Sequence, residues 1–167
     1  KNYMALHHLS VQVARWLNVG VYENVLYNGR NGIELSYFNP VIFYRSIEMQ
    51  LGSGGSKATV GIDLKSNLFH RLQLYSQLGI GEFVFSNILH YGRGSWLNKH
   101  ALQVGTKYID ALGVKNLDLL AEINLVRPYM YTHNDSATAF THYNKPLAHP
   151  LGANFGEYIL LLKYQPL

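Results

Sequence analysis

The chain has 167 residues, of which 14% are charged and 13% aromatic, with 13 Tyr, 15 Gly and no Cys. The charged fraction is far below the roughly 25% of an average soluble domain, which indicates a surface that does not face water everywhere, while a mean hydropathy of -0.05 and the lack of a long apolar run exclude helical membrane spans. The absence of Cys excludes disulfides and thiolate sites, and a net charge of +4 from scattered Lys and Arg gives no footprint for nucleic acid.

Alternating apolar and polar residues predict seven β-strands. They are expected at about 7–14, 17–27, 57–66, 70–80, 99–110, 117–128 and 156–165. The clearest segment has an aliphatic face and a polar face, formed respectively by Leu72, Leu74, Ser76, Leu78 and Ile80 and by Arg71, Gln73, Tyr75 and Gln77. Asp63, Lys65, Lys107, Glu122, Asn124 and Lys163 are expected on the polar face of other strands.

The connections between these segments alternate in length. Short turns are expected around Arg15, Asn67 and Val114, and long loops at 28–56, 81–98 and 129–155. Short periplasmic turns, long extracellular loops and strands of about 9 to 11 residues are typical of outer-membrane barrels. We therefore predict an all-β, antiparallel transmembrane β-barrel, with a soluble β-sandwich or barrel as the alternative.

The strand count and the first residues suggest a partial domain. Seven strands are an odd number, whereas bacterial single-chain barrels use even counts from about 8 upward. Export requires a signal peptide, and Lys1-Asn2-Tyr3 does not resemble a natural start. We expect the chain to be a single partial barrel domain, cut from a larger barrel.

Two of the long loops have unusual composition. The segment from Ile33 to Glu48 is too apolar for a solvated loop, so we expect it to fold inward and to plug or narrow the lumen; a packed structural insert is the alternative. The third loop contains His133, His142 and His149, but their spacing fits no helical His pair and no carboxylate completes a set, so no metal is expected.

No combination of residues indicates catalysis. The sequence offers no nucleophile with its base, no argued carboxylate pair and no phosphate loop, since the glycine-rich segment 51–56 lacks the Lys and following helix of such a loop. We expect no enzyme activity and no cofactor. An outer-membrane hydrolase ranks last among the functional hypotheses.

Long strings in the loops and turns resemble a known family, the capsule-assembly Wzi-type outer-membrane proteins of Bacteroidetes, including their gliding-motility RemB-type relatives. The likeness extends from about Leu9 to Leu167. The resembling strings are YFNPVIFYR at 37–45, KYIDALGVKNLDL at 107–119, VRPY at 126–129 and HYNKPLAHPLGANF at 142–155.

This resemblance implies a large barrel in the bacterial outer membrane, with helical material at its periplasmic side, which holds exported polysaccharide at the cell surface as a lectin and performs no chemistry. Capsular or exopolysaccharide, outer-membrane lipid and other surface-complex proteins are the implied partners. RemB-type members imply instead an adhesion role in gliding motility. A structural adhesin or transport pore is therefore the alternative function.

Candidate glycan-binding residues follow from loop chemistry, because aromatic rings stack on sugars and polar side chains bond sugar hydroxyls. The long loops would bind either an acidic or a neutral glycan. For any single Tyr, the alternative is a place in an aromatic girdle at the membrane surface or in the protein core. The candidates are Tyr37, Asn39, Arg45, Glu48, Arg127, Tyr129, His149 and Asn154.

Overall fold

The structure is a computed structural model that describes residues 2–28, 33, 35–39, 56–82, 98–132, 139–142 and 145–166. Long strands dominate these residues, and each has the alternating sequence that suits a sheet with two different faces. The long strands are β1 (Asn2–Ala14), β2 (Leu17–Asn28), β3 (Ser56–Leu68), β4 (Leu72–Glu82), β5 (Lys99–Tyr108), β6 (Leu117–Val126) and β9 (Phe155–Tyr164). Two short strands, β7 (Thr141–His142) and β8 (Lys145–Pro146), pair with each other.

The long strands form one antiparallel sheet in the order β1-β2-β3-β4-β5-β6-β9. The all-β, antiparallel prediction is confirmed. Strands β1 and β9 are the edges, so the described sheet is not closed into a barrel. No helix among the described residues is long and apolar enough to cross a membrane; the helical turns there are 3-10 turns at Leu35–Phe38 and Ala111–Gly113.

Several strand ends differ from the predicted ones. β1 begins at Asn2 instead of residue 7, and β5 and β6 each end two residues early. The turn expected around Asn67 lies at 69–71, where Phe69 and His70 have φ of 50° and 61°. Positive φ is unusual for such residues, and no Gly or Asn marks the place in the sequence, which is why the pattern extended β4 too far. Arg71 therefore lies in the turn and not on the polar face of a strand.

The sheet has an aliphatic face and a polar face, as the alternation predicts. Some cross-strand pairs join residues of the same kind, for example Ile62 with Leu78 and Gln77 with Gln103, whereas Leu64 with Ser76 and Glu122 with Ile159 are mixed pairs. The aliphatic face carries Leu9, Val11, Val19, Val21, Val60, Ile62, Leu64, Leu74, Leu78, Leu102, Val104, Leu119, Ile123, Leu125, Leu160 and Leu162. The polar face carries Ser10, Asn18, Asp63, Lys65, Gln73, Gln77, Gln103, Lys107, Glu122, Asn124, Glu157 and Lys163.

The two ends of the sheet also differ. The strand ends joined by connections 15–16, 69–71 and 109–116 lie at one end, here named the turn end. The strand ends on either side of 29–55, 83–98 and 127–154 lie at the other, the loop end. Within 109–116, the carboxylate of Asp110 accepts the backbone N–H of Asn116 at 2.8 Å, so this connection is a longer ordered turn than the short one expected around Val114. The order of the strands places every long connection at the same end, because neighbours in the chain are neighbours in the sheet.

The first long loop packs on the aliphatic face at Tyr37, so the expected inward fold is wrong for this residue. Residues 40–48 of the same segment lie outside the described residues, and the expectation for them stays a prediction. Tyr37 is only 3% exposed and clusters with Val25, Tyr27 and Ala58 on that face. Its ring centroid lies 4.7 Å from that of Tyr27, which stacks in turn on Tyr3 at 5.5 Å. The reason is that an apolar surface is already available beside β2 and β3, so burying Tyr37 there removes it from water.

Candidate functional site

A groove of about 730 Å³ lies on the polar face, beneath the third long connection. Strands β1 to β6 provide its floor, and the connection between β6 and β9 provides Met130, Tyr131, Phe140 and His149. This volume is in the range of small-molecule sites, which are about 300 to 1,000 Å³. The groove is therefore the candidate site among the described residues.

A row of hydrogen-bonding side chains crosses the polar face at the groove. Directly opposed cross-strand pairs link its members in sequence, from β3 through β4, β5 and β6 to β9. We name it the amide row, and it consists of Asp63, Gln77, Gln103, Asn124 and Glu157. Neighbouring strands lie about 4.8 Å apart, so the row offers a planar polar group at each such step.

A histidine lies against each end of the amide row. His8 Nε2 is 2.9 Å from Asp63 Oδ2, and His149 Nε2 is 3.2 Å from Glu157 Oε2. The Nδ1 of His149 accepts the backbone N–H of Leu151 at 3.2 Å, which leaves Nε2 to carry the proton toward Glu157. The imidazole also packs on the Phe155 ring, with centroids 4.5 Å apart.

Two carboxylates share the amide of Asn124. Its Nδ2 donates to Glu122 Oε1 at 2.8 Å and to Glu157 Oε2 at 2.9 Å, and Asn124 is only 4% exposed. The hydroxyl of Tyr75 donates to Glu122 Oε2 at 2.5 Å. A buried amide thus separates two like charges and satisfies both, as buried polar groups require.

Glycines allow long side chains of the polar face to lie across the neighbouring strand. Tyr22 lies over Gly61 and Tyr75 over Gly105, and a Cβ on either glycine would collide with the tyrosine ring. Each pair is directly opposed in the sheet. Asp63 lies over Gly20 in the same manner and so reaches His8 on β1.

The third connection is held over the groove by Lys57. This side chain is 2% exposed, and its Nζ donates to the carbonyl oxygens of Met130 at 2.6 Å and Thr132 at 2.7 Å. The rings of Tyr131 and Phe140 lie 5.9 Å apart along the same connection. Burial raises the pKa of Tyr131 above its usual 10.0.

No protein-family model, curated protein or solved structure matches this chain. The resemblance to Wzi-type and RemB-type proteins therefore stays a prediction, and function must be argued from the geometry.

Among the predicted site residues that the structure describes, only His149 lines the groove. Tyr37 belongs to the opposite, aliphatic face, and Asn39 follows it on the surface. Arg127 and Tyr129 lie where the third connection leaves β6; both side chains are exposed. Arg45 and Glu48 lie outside the described residues, so their roles stay predictions.

Asn154 is the last of the predicted residues. It directly precedes β9, is exposed and has a φ of 64°. This left-handed conformation is one that Asn tolerates better than most residues, and it allows the chain to turn into β9. A backbone reason for Asn at this position therefore exists beside the glycan-binding one.

Most of the groove comes from strand residues that were not proposed as site residues. The alternation assigns Asp63, Tyr75, Gln77 and Asn124 to the polar face, but it does not say which of them stand opposite one another. Opposition across the sheet depends on the register of five strands. Short turns fix the register between two strands, but long loops do not, so the sequence does not give it. The described residues contain no group of three or more His, Asp or Glu that could hold a metal ion.

Proposed function

We propose that the chain forms part of the wall of a bacterial outer-membrane β-barrel that binds or anchors exported polysaccharide without performing chemistry. The observation that carries this proposal is the division of the sheet into an exposed aliphatic face and a polar face with a groove. The first would contact lipid and the second would line the interior.

The aliphatic face favours a lipid environment because several of its side chains are exposed among the residues that the structure describes. Ile62 is 39% exposed, Val104 45% and Leu160 81%, and they belong to three different strands. Soluble monomers rarely expose a contiguous apolar patch of more than a few hundred Å². Covering such side chains is favourable by roughly 25 cal/mol for each Å² removed from water.

Aromatic side chains at both ends of the aliphatic face support the same proposal. At the loop end Tyr3 and Tyr27 stack on one another, and at the turn end Tyr108 and Tyr164 close their strands. Trp16 is 52% exposed in the adjacent turn. Outer-membrane barrels carry aromatic girdles of this kind at the two lipid–water boundaries, on either side of an apolar band about 25 Å tall.

A contact between a histidine and a glutamate lies on the aliphatic face, four residues inward from Tyr3 and Tyr27, where protein covers the glutamate. His7 Nδ1 is 3.2 Å from Glu23 Oε1, and Glu23 is 8% exposed. On the same face of the sheet, the next residues along β1 and β2 are Ala5 and Val25, which pack in the cluster around Tyr37. Ionisable groups inside a membrane are costly and occur where protein or water covers them.

The groove supports polysaccharide as the ligand. Its amides and carboxylates accept and donate hydrogen bonds in the plane of each group, and Tyr22 and Tyr131 add aromatic surface. A site of a few polar groups binds one sugar segment weakly, but a polymer presents many copies and is retained by avidity. The exposed Arg127 and Tyr129 at the loop end could add contacts outside the groove.

The proposal is tested with the intact protein, extracted from membranes with detergent and compared on gels with and without heating. Closed barrels resist unfolding until they are boiled, so we expect a heat-dependent mobility shift. The folded protein should then be retarded in gels that contain dextran, chitosan or alginate, and Arg127→Ala should weaken that retardation. A protein that needs no detergent and shows no shift would contradict the membrane part, and retardation by none of the polymers would contradict the polysaccharide part.

A further inference from the structure

We propose that the groove on the polar face is the glycan subsite, and that it selects uncharged, polyhydroxylated sugar over polyuronate. This inference rests on the proposed function and specifies its ligand. It places recognition on strand residues of the polar face, at the amide row, instead of on the exposed loop residues alone.

The centre of the amide row has the chemistry of a sugar-binding floor. Gln77 and Gln103 are directly opposed and line the groove. A carboxamide offers both a donor and an acceptor, and so does each sugar hydroxyl, so one amide can bond two neighbouring hydroxyls. The row crosses four strand intervals, about 19 Å in all, which is enough for several sugar rings in line.

Small residues beside the amide row make room for an aromatic side chain at its border. The adjacent register step contains Gly61, Gly79 and Ala101, which are directly opposed across β3, β4 and β5. Tyr22 projects over Gly61, and its hydroxyl lies 3.5 Å from the carbonyl oxygen of Leu78. The Tyr22 ring therefore fills the space over Gly61, and its hydroxyl reaches Gly79, so the ring borders the amide row, where the apolar face of a sugar ring can pack against it.

An unsatisfied acceptor at the groove points to a hydroxyl donor. Asn24 lines the groove and is 6% exposed, and its Oδ1 has no hydrogen-bond partner in the part of the chain that the structure describes. Buried acceptors without partners are rare in native proteins because the lost hydration is not replaced. A ligand hydroxyl or a bridging water could donate the missing hydrogen bond to Asn24 Oδ1, whereas an ionised carboxylate has no proton to donate.

The charges around the amide row disfavour an acidic polymer. Asp63, Glu122 and Glu157 are carboxylates in or beside the groove, whereas Lys65 is the cation that lines it near them. Lys57 donates to backbone carbonyls at the loop end. A uronate carboxylate on the amide row would lie next to like charges in a partly desolvated groove, which is unfavourable. An uncharged hexose polymer meets no such repulsion.

The test compares two glutamines on the same face of the same strand. Gln77 lines the groove, and Gln73 lies four residues away, outside the lining, where it donates to Asn67 at 2.9 Å. Dextran and alginate are the probes, measured by affinity electrophoresis of the detergent-solubilised, folded protein. We expect wild type to bind dextran more tightly than alginate, Gln77→Ala to weaken dextran binding about tenfold, as the loss of hydrogen bonds to a ligand implies, and Gln73→Ala to leave it unchanged.

A second variant fills the groove without removing a polar group. Ala101→Phe adds a ring beside the amide row, and it should abolish dextran binding while the heat-dependent mobility shift persists. Wild-type dextran binding by both Gln77→Ala and Ala101→Phe, or tighter binding of alginate than dextran by wild type, would overturn the groove assignment and leave a polysaccharide function elsewhere on the protein. If wild type binds none of the three polymers dextran, chitosan and alginate, the proposed function itself is overturned.

Discussion

The hydroxyl of Tyr75 on β4 donates to the carboxylate of Glu122 on β6, at 2.5 Å, across the whole width of β5. The contact is possible because Gly105 stands between them in the register, opposite both Tyr75 and Glu122. With no side chain on Gly105, the tyrosine ring lies over the strand backbone. Tyr22 repeats the arrangement over Gly61, so the polar face is braced by side chains that each span two strand intervals.

Adding a methyl group at Gly105 should displace Tyr75. We expect Gly105→Ala to lower the free energy of unfolding by about 1–3 kcal/mol, because the Cβ collides with the ring and Glu122 loses a donor. The control is Gly81→Ala, whose Cβ would meet the Met130 sulfur at 3.4 Å, an ordinary contact. Urea unfolding in lipid vesicles measures both variants, and equal stability of Gly105→Ala and wild type would contradict the bracing role.

Removing the Lys57 ammonium should release the third connection from the groove. Lys57→Met leaves the carbonyl groups of Met130 and Thr132 without this donor, and hydrogen bonds to charged groups contribute about 1.5–3 kcal/mol each. We expect chymotrypsin to cleave the 127–132 segment at least about tenfold faster, which corresponds to about 1.4 kcal/mol of local stability. Lys65→Met, an exposed lysine on the same face of β3, is the control. Unchanged cleavage of Lys57→Met would show that other contacts hold the connection.

The raised pKa of Tyr131 predicts a stability change at alkaline pH. Burial favours the neutral phenol in the folded protein, so the unfolded chain ionises first as the pH rises past 10.0. The stabilisation is complete below that pH and is lost as the pH rises through the higher, folded-state pKa. Tyr131→Phe should therefore reduce the fall in unfolding free energy between neutral and strongly alkaline pH, and Tyr129→Phe, an exposed tyrosine of the same turn, is the comparison. The same alkaline slope in Tyr131→Phe and wild type would contradict this.

The sequence predicts which face of the sheet a residue occupies better than it predicts which residue stands opposite on the next strand. Alternation alone assigns Ile62 to the aliphatic face and Gln77 to the polar face, because side chains of a strand point to opposite sides in turn. It cannot place Gly105 opposite Tyr75, since that depends on register across β4 and β5, which a long connection joins. It also leaves open which face a loop covers, as Tyr37 illustrates.

Backbone conformation accounts for the remaining differences. Phe69 and His70 adopt positive φ in a three-residue turn, a conformation that is uncommon for residues other than Gly, although His adopts it more often than most. The alternation of apolar and polar residues continues through this turn, so it predicts a strand there. The sequence predicts His149 as a site residue because its loop combines His, Pro and Asn, whereas Glu157, which it contacts, resembles any polar strand residue.

We propose that the aliphatic face contacts lipid and that the polar face does not. Gln103 and Val104 are neighbours on β5 that belong to the two different faces, and the chain has no cysteine to interfere with labelling. Gln103→Cys and Val104→Cys, each labelled with a bimane fluorophore, are reconstituted in vesicles of ordinary or brominated phospholipid. The account predicts strong quenching by brominated lipid at residue 104 and little at residue 103. Equal quenching at the two residues, or none at 104, would contradict it.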